Sequence, residues 1–325
     1  MRTNLILSII IALALILCPI FALGSSDDRA VETVHTPPVT AGEPAEYISV
    51  MSSLTGDVNE VEMREYVIGS VAAEMSPLYH TEALKAQAVA SYTYAKRVRE
   101  QNKSVKKADL GDADITDRPD IHQGYIDEKA RREKWGKKFE EYENKIEAAV
   151  DEVFGSYMTY EGETVLAVYH SNSAGSTQSA ESLWGTAIPY LVSVESQGDK
   201  LSPDYISETV FSSNEFKAYA KKCSVKLTGD ADGWVEDINT DKSGYVTSVM
   251  LCGEKVSATE FRKAFLLKSP CFDIEYDGDK FAVTCRGYGH GVGMSQYGAD
   301  YMARQGSTWR EILMHYYTGV EITRE

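Results

Sequence analysis

The stretch Val71-Ala-Ala-Glu-Met-Ser-Pro-Leu-Tyr-His-Thr-Glu-Ala-Leu-Lys-Ala-Gln-Ala-Val-Ala90 joins two predicted helices through a short break. Pro77 disfavours helical geometry at the residue before it, so the first helix is predicted to end near Glu74. Partial burial and the negative end of the helix dipole would both raise the pKa of a carboxyl there, as a general acid requires. The simpler interpretation is a solvated glutamate at a helix end. The apolar residues before the break have helical spacing: Val67, Ile68, Val71 and Met75.

Further helices are predicted on both sides of a long segment without clear periodicity, residues 103–125. One helix runs from Thr81, its expected N-cap, to residue 99. Residues 130–154 show the clearest helical stripe, and Gly155 can close that helix. The apolar face of the first contains Leu84, Ala88, Tyr92 and Ala95, and the stripe of the second contains Trp135, Phe139, Tyr142, Ile146, Ala149 and Val153.

Short apolar runs separated by turn residues predict strands in much of the remaining chain, beginning within residues 47–61. Capping boxes at Ser257 and Thr308 predict two helix starts, and a short helix is expected at residues 214–221. Because helices are mixed with mostly hairpin-linked strands, the predicted fold class is α+β. The other predicted strands are residues 157–160, 164–169, 190–194, 234–238, 245–251, 272–276 and 280–285.

The N-terminal region predicts export from the cytoplasm. Arg2 precedes an uncharged apolar run at residues 5–23, which is just long enough to span a bilayer as a helix. Residues 1–24 are therefore predicted to be a membrane anchor, with a cleaved signal peptide as the alternative. The polar, proline-containing residues 25–46 predict an extracytoplasmic linker, and residues 47–325 a single main domain.

Charge and cysteine spacing limit the chemistry. The net charge of −16 argues against nucleic acid as a partner, because phosphate binding requires a basic surface. Cys18 lies in the predicted anchor, and the spacings of the later cysteines match no zinc motif, so neither a metal nor another cofactor is predicted. Disulfide pairing stays open, and small buried apolar side chains are the preferred interpretation of Cys223, Cys252, Cys271 and Cys285.

Two polar stretches late in the chain are candidate binding loops. His170-Ser-Asn-Ser-Ala-Gly-Ser-Thr177 follows a predicted buried strand directly. In Arg286-Gly-Tyr-Gly-His-Gly-Val-Gly-Met-Ser-Gln-Tyr-Gly-Ala299, alternating glycines around His290 let the backbone bend sharply and let a ligand approach. The order of residues excludes a phosphate-binding loop. A lone histidine in such a turn is more often structural than catalytic.

Together these motifs resemble the stage II sporulation protein D family, over a region from about residue 47 to the C-terminus. The segments that carry the resemblance are Val71-Ala-Ala-Glu-Met, Glu82-Ala-Leu-Lys-Ala-Gln-Ala-Val-Ala90, Tyr169-His-Ser-Asn-Ser-Ala-Gly175, Ile188-Pro-Tyr-Leu-Val-Ser-Val194, Gly287-Tyr-Gly-His-Gly-Val-Gly-Met-Ser-Gln-Tyr-Gly-Ala299 and His315-Tyr-Tyr-Thr-Gly319.

The resemblance implies a membrane-anchored lytic transglycosylase of a spore-forming bacterium. Such enzymes cut the β-1,4 bond between N-acetylmuramic acid and N-acetylglucosamine in peptide-free peptidoglycan strands. They act beside a cell-wall amidase and a membrane scaffold during engulfment of the forespore. The family's catalytic glutamate corresponds to Glu74, so residues 47–325 are expected to be the catalytic domain.

A single carboxylate suffices for this reaction, because it can act first as acid and then as base. A hydrolysing glycosidase normally needs two, and no second carboxylate stands out in a comparable motif. Lys85 and Gln87 are either cleft residues or solvated helix residues. The full set of substrate-binding candidates is Lys85, Gln87, His170, Ser171, Ser173, His290, Ser295, Gln296 and Tyr297.

Three departures from the family pattern bear on this hypothesis. Ser76 separates Glu74-Met75 from Pro77. Tyr92 stands where the family commonly has an arginine. Thr116 and His122 occupy positions that hold metal-binding cysteines in some members, so no structural zinc is expected.

The alternative function is a noncatalytic glycan-binding module that stimulates a partner amidase. The lost arginine favours that alternative. A metal-dependent hydrolase is disfavoured because the sequence offers no ligand cluster.

Overall fold

The computed structural model describes residues 46–104 and 110–325. The predicted anchor with its cysteine, and the linker up to residue 45, lie outside the described residues. Within the described ranges, every helix is too short or too polar to span a lipid bilayer.

The first two helices meet at the break that the sequence predicts. Helix α1 (Met63–Glu74) ends on Glu74, and the next residue, Met75, has extended backbone angles. Helix α2 (Thr81–Ser104) already includes Thr81, the residue that the sequence predicts as its N-cap. His80 is the cap instead of Thr81, because its Nδ1 accepts the Glu82 N–H at 3.3 Å. Beside these helices, strand β1 (Tyr47–Met51) pairs antiparallel with β2 (Val58–Glu62) and parallel with β3 (Ile115–Thr116).

The sequence predicts one helix over residues 130–154. That prediction is wrong in one respect, because the structure has two helices separated by a break at Gly136. Helix α3 (Glu128–Trp135) leads through a 3-10 turn at Gly136–Lys138 into α4 (Phe139–Val153). Gly136 has a φ of +52°, which interrupts helical geometry and which glycine adopts without steric cost. Gly155, at φ +80°, follows the second helix as predicted. The buried part of the predicted stripe is Phe139, Ile146, Ala149 and Val153.

The middle of the chain forms shorter strands than predicted. Strands β4 (Ser156–Tyr160) and β5 (Glu163–Thr164) form the expected hairpin, but the second strand ends after two residues. Strand β6 (Tyr169–His170) pairs instead, in parallel, with β13 (Met294–Ser295). The strand predicted at residues 190–194 is absent, because those residues hydrogen-bond to the irregular loop before the short helix α5 (Ala180–Trp184). A C-terminal strand, β14 (Glu321–Arg324), completes the sheet of β4 and β5.

Residues 206–286 form a region with two three-stranded antiparallel sheets. The predicted short helix, both later hairpins and the Ser257 cap are confirmed, whereas β7 and β10 were not expected from the sequence. The sheets have the strand orders β10-β9-β8 and β11-β12-β7. The elements are β7 (Ile206–Ser212), α6 (Ser213–Ala220), β8 (Val235–Thr240), β9 (Val246–Leu251), β10 (Glu254–Ser257), α7 (Ala258–Phe265), β11 (Phe272–Tyr276) and β12 (Lys280–Arg286).

Two helices follow the glycine-rich stretch and precede β14. Helix α8 (Gln296–Arg304) was not expected, and α9 (Trp309–Tyr316) begins with the predicted capping box between Thr308 and Glu311. The α+β prediction is confirmed.

The described residues bury two hydrophobic clusters. The larger one joins helices α1, α2, α4, α8 and α9, and the smaller one lies within residues 211–285. All four described cysteines are free. Cys223, Cys271 and Cys285 are buried as expected, and Cys252 is half-buried.

Candidate active site

Glu74 lies half-buried at the C-terminal end of α1, against the irregular segment that precedes α3. Its Oε1 accepts the backbone N–H of Gly124 at 2.5 Å. A Cβ at position 124 would lie 2.8 Å from that oxygen, so only glycine permits this approach. The segment 110–127 therefore supplies a fixed donor to the carboxyl that the sequence singled out.

Opposing influences act on the pKa of Glu74. Burial is the largest and raises the pKa above its usual value. The Gly124 N–H, the side chain of Gln296 and the charge of Lys134 oppose it by favouring the carboxylate. Lys134 extends from α3, and its Nζ donates to the Ala72 carbonyl at 2.9 Å, near the end of α1. Burial thus favours the protonated carboxyl, and these three neighbouring groups favour the carboxylate.

Two glutamines predicted to bind substrate meet beside Glu74. Gln296, the first residue of α8, donates from Nε2 to Oε1 of Gln87 at 3.3 Å. Gln87 donates in turn to the Ser91 hydroxyl at 3.1 Å, and that hydroxyl also lies 3.3 Å from Ser70 Oγ. Gln87 and Gln296 are both buried, so the interpretation of Gln87 as a solvated helix residue is wrong.

The site also contains two tyrosines, Tyr66 and Tyr169, that were not among the predicted site residues. The Tyr169 hydroxyl donates to Gln123 Oε1 at 2.8 Å, and Gln123 Nε2 donates to the Tyr66 hydroxyl at 2.9 Å and to the Ser91 carbonyl at 3.1 Å. Burial, and then the charge of Glu74, raise the pKa of Tyr169 well above its usual value, so its phenol stays a donor. Gln123 sits in a segment without periodicity, which gave no signal that it would face α1.

His170 and His290, both substrate-binding candidates, pack against each other with ring centroids 5.6 Å apart. His170 Nδ1 lies 3.1 Å from the Val292 carbonyl, and His290 Nδ1 accepts the Val292 N–H at 3.1 Å. Burial lowers the pKa of His170 to about 3 and that of His290 to about 4, so both imidazoles are neutral. Neither is hydrogen-bonded to Glu74 in the described structure.

Ser173 and Ser295, also candidates, bind the buried carboxyl of Asp199. Asp199 Oδ2 accepts the Ser173 N–H at 2.8 Å, and Oδ1 accepts the Ser295 hydroxyl at 2.7 Å. The same Ser295 oxygen caps α8 by accepting the Gly298 N–H at 3.1 Å. These contacts fix the start of α8, and with it the position of Gln296.

The three remaining candidates make contacts within the protein. Lys85 pairs with Glu82 at 2.7 Å and with Glu152. The Ser171 carbonyl accepts the Tyr297 N–H at 3.0 Å, and the Tyr297 hydroxyl donates to the Leu201 carbonyl at 3.1 Å.

Comparison with known proteins places these residues in a family. A family model described as "Stage II sporulation protein" matches residues 52–160, which include Glu74, Gln87, Gln123 and Gly124. Stage II sporulation protein D of Bacillus subtilis is 36% identical over 296 residues, covering 91% of this chain and 82% of that protein. The chain belongs to the stage II sporulation protein D family. Its counterpart in Bacillus amyloliquefaciens is 36% identical over 90% of this chain and 85% of its own length.

A more distant relative of this chain has a different name. A Bacillus subtilis protein named "Amidase enhancer" is 24% identical over 313 residues, covering 78% of this chain but 40% of that protein.

Two of the three departures from the family pattern have defined surroundings in the structure. The Tyr92 hydroxyl lies 3.1 Å from one carboxylate oxygen of Glu46 and 3.1 Å from one of Glu325. Among the described residues it makes no hydrogen bond to Glu74, Gln87 or Gln296. Thr116 donates its N–H to His122 Nδ1 at 3.2 Å. Across residues 46–104 and 110–325, no group of three or more His, Cys, Asp or Glu side chains is arranged to hold a metal ion.

Proposed function

We propose that this member of the stage II sporulation protein D family is a peptidoglycan lytic transglycosylase. It cleaves the β-1,4 bond between N-acetylmuramic acid and N-acetylglucosamine in peptide-free glycan strands during engulfment. The observation that carries the proposal is the setting of Glu74. Its carboxyl is half-buried, and it is bonded to Gly124 and Gln296.

In the first step, the protonated Glu74 carboxyl gives its proton to the glycosidic oxygen. The bond between that oxygen and the muramoyl anomeric carbon breaks, and its electron pair leaves with the N-acetylglucosamine hydroxyl. The carboxylate formed is stabilised by the Gly124 N–H and the Gln296 amide, with Lys134 contributing charge.

In the second step, the Glu74 carboxylate removes the proton from the muramoyl 6-hydroxyl. The 6-oxygen forms a bond to the anomeric carbon of the same sugar, which gives a 1,6-anhydro ring and restores the protonated carboxyl. No water is consumed. A hydrolysing glycosidase normally needs a second carboxylate, and the sequence offers none in a motif comparable to that of Glu74.

The location and partners form part of the same proposal. Residues 1–24 anchor the protein and residues 25–46 hold the domain outside the cytoplasmic membrane, where peptidoglycan lies. A cell-wall amidase removes the stem peptides before this enzyme cuts the strands, and a membrane scaffold of the engulfment machinery holds the two together. The relative named "Amidase enhancer" supports the amidase link.

The test compares the native domain with Glu74→Gln on peptide-free strands. We expect the native domain to release products with anhydromuramoyl ends, detected by mass spectrometry. Glu74→Gln should lower the rate about 10²–10⁴-fold with strand binding retained, because general acid–base catalysis contributes that much. Glu60→Gln, an exposed carboxyl on β2, is the matched control. Products with reducing muramoyl ends, or full activity in Glu74→Gln, would contradict the proposal.

The second candidate function is a noncatalytic glycan-binding module that activates a partner amidase. The name of the distant relative is the observation that favours it. The two candidates separate in one assay, in which the amidase digests peptidoglycan with either the native domain or Glu74→Gln. An activator that works through binding alone stimulates the amidase equally in both forms and releases no anhydromuramoyl ends.

A further inference from the structure

Strand β7 lies at an open edge of its sheet. The strand order is β11-β12-β7, so β7 pairs along one side only. The carbonyl of Tyr205, the residue before β7, accepts the Gly287 N–H at 2.8 Å, so the odd-numbered residues of β7 direct their backbone groups to β12. The even-numbered residues alternate with them, so Ile206, Glu208 and Val210 direct their N–H and C=O groups to the open side. Within the described ranges, no other backbone segment hydrogen-bonds to these groups.

The side chains of the same residues are exposed. Ile206 is 63% and Val210 is 50% exposed, and Glu208 is exposed as well. They lie on the face of the sheet opposite Phe211, which packs in the smaller hydrophobic cluster. Thr209 points to the same face as Phe211 but is exposed, which shows that the cluster does not extend to the open side of the strand.

Strand β7 lacks the features that keep an exposed edge from pairing. Such edges are usually short, charged, interrupted by proline or bulged. Strand β7 has seven residues, one charged side chain and no proline, and it pairs with β12 without interruption from Ile206 to Ser212. Every other strand at the edge of a described sheet has only two residues, an irregular register or at least two charged side chains. Strand β7 is therefore the edge that can best accept an extended chain as a further strand.

Charge determines which kind of strand fits this edge. Glu208 lies opposite Thr284 of β12, and no described cation forms an ion pair with it. The nearby Arg286 donates to Asp273 at 2.5 and 2.6 Å instead. A second copy of this chain fits poorly, because an antiparallel pair centred on Glu208 would place two carboxylates opposite each other in chains of net charge −16. A strand with a lysine or arginine at that position would form an opposite-charge pair.

We propose that the open edge of β7 binds an extended segment of another protein as an added antiparallel strand. Residues directly opposite each other share one face of a sheet, so the segment has apolar side chains opposite Ile206 and Val210 and a lysine or arginine opposite Glu208. Its sequence pattern is apolar-any-basic-any-apolar. This interaction surface does not depend on the proposed cleavage of glycan strands.

The test uses the full chain in detergent micelles and two fluorescent peptides, acetyl-Thr-Val-Thr-Lys-Thr-Val-Thr-amide and the same peptide with glutamate in place of lysine. Fluorescence anisotropy measures both Kd values, and we expect the lysine peptide to bind about two- to fivefold more tightly. Hydrogen–deuterium exchange followed by fragmentation in the mass spectrometer measures the backbone. The lysine peptide should slow exchange at the N–H groups of Ile206, Glu208 and Val210, whereas those of Ser207 and Thr209 already bond to β12 and should change little.

Charge reversal identifies the residue that sets the preference. Glu208→Lys should make the glutamate peptide the tighter ligand. Glu275→Lys is the matched control, because it makes the same change at an exposed position of β11, the opposite edge of the same sheet, and should keep the preference for lysine.

A backbone variant tests strand addition itself. Val210→Pro removes one N–H from the open side and no bond to β12, so it should weaken both peptides about fivefold. Val210→Thr keeps the N–H and should weaken them much less.

Three outcomes would overturn the inference. The first is unchanged exchange at Ile206, Glu208 and Val210 with either peptide at millimolar concentration. The second is a preference for lysine that survives Glu208→Lys. The third is self-association of the free chain that slows exchange at the same N–H groups and is lost in Val210→Pro, because it would assign the edge to a second copy. None of these outcomes bears on glycan cleavage by Glu74.

Discussion

In the proposed reaction, the two roles of Glu74 depend on how burial is balanced against the surrounding groups. Burial favours the protonated acid that the first step needs, and Gly124, Gln296 and Lys134 favour the carboxylate that the second step needs. The folded-state pKa of Glu74 is raised overall, so activity that requires the acid falls as pH rises through that value. Removing one of these three groups should therefore raise the pKa of Glu74 and move the basic limb of the pH–rate profile to higher pH.

Lys134→Met tests this balance. The lysine charge holds the pKa of Glu74 down, so its removal should raise that pKa further and move the basic limb to higher pH. The measurement is cleavage rate against pH. Lys145→Met is the matched control, because its Nζ also donates to backbone carbonyls, those of Pro77 and Tyr79, but does not act on Glu74. A basic limb that stays in place in Lys134→Met would contradict the assignment.

Gly124→Ala tests the close approach to Glu74. The new Cβ would meet Oε1 at 2.8 Å and displace either the carboxyl or the N–H that binds it. We expect cleavage to fall about 10²-fold, as displacements near 1 Å do in enzymes, with the fold intact by circular dichroism. Gly233→Ala should leave the rate unchanged, since nothing lies within 4 Å of a Cβ there and its φ is not positive.

At the scale of elements, Arg131 ties α3 to α1 and α4. It is 1% exposed, contacts Glu143 Oε1 and Glu65 Oε1 at 2.7 Å each, and donates to the Ile126 carbonyl at 3.0 Å. This buried ion pair fixes the end of the segment that carries Gln123 and Gly124. Its contribution to the site is therefore positional.

Arg131→Met should lower the free energy of unfolding by about 3–5 kcal/mol, because it leaves Glu143 buried without its partner. Arg132→Met, one residue on, removes an exposed cation paired with Glu128 and Glu140 and should cost less than about 1 kcal/mol. Chemical denaturation measures both. Equal losses in the two variants would show that burial of the ion pair is not the cause.

The sequence predicted elements where a local signal exists. The end of α1 at Glu74 follows from Pro77, and the start of α9 follows from the capping box at Thr308. Gly136 broke a continuous apolar stripe that periodicity alone treats as one helix. Residues 190–194 are apolar yet pair with a loop, and no local rule reveals the partner of such a segment.

At the scale of the whole molecule, the site is assembled from segments far apart in the chain. Glu74, Gln87 and Gln296 could be selected from their motifs. Gln123 and the contact that Tyr169 makes with it could not, because they depend on a long irregular segment folding onto α1 and on β6 pairing with β13. Such non-local packing has no periodic signature in the sequence.

The free cysteines make a prediction for the molecule as a whole. If Cys223, Cys252, Cys271 and Cys285 are thiols throughout, a reducing agent should change the Tm by less than about 1 °C, whereas loss of a disulfide would lower it by several degrees. Thermal denaturation with and without reductant measures this. Intact mass without reductant provides the check, since each disulfide removes two hydrogens.

The parallel pairing of Tyr169–His170 with Met294–Ser295 has a consequence for biosynthesis. Gln296 reaches Glu74 only after the C-terminal part of the chain has been made and has packed against the earlier helices. A nascent or truncated chain therefore carries the acid but lacks part of its setting. If the chain has the proposed wall-cutting activity, this order of assembly delays that activity until synthesis is complete.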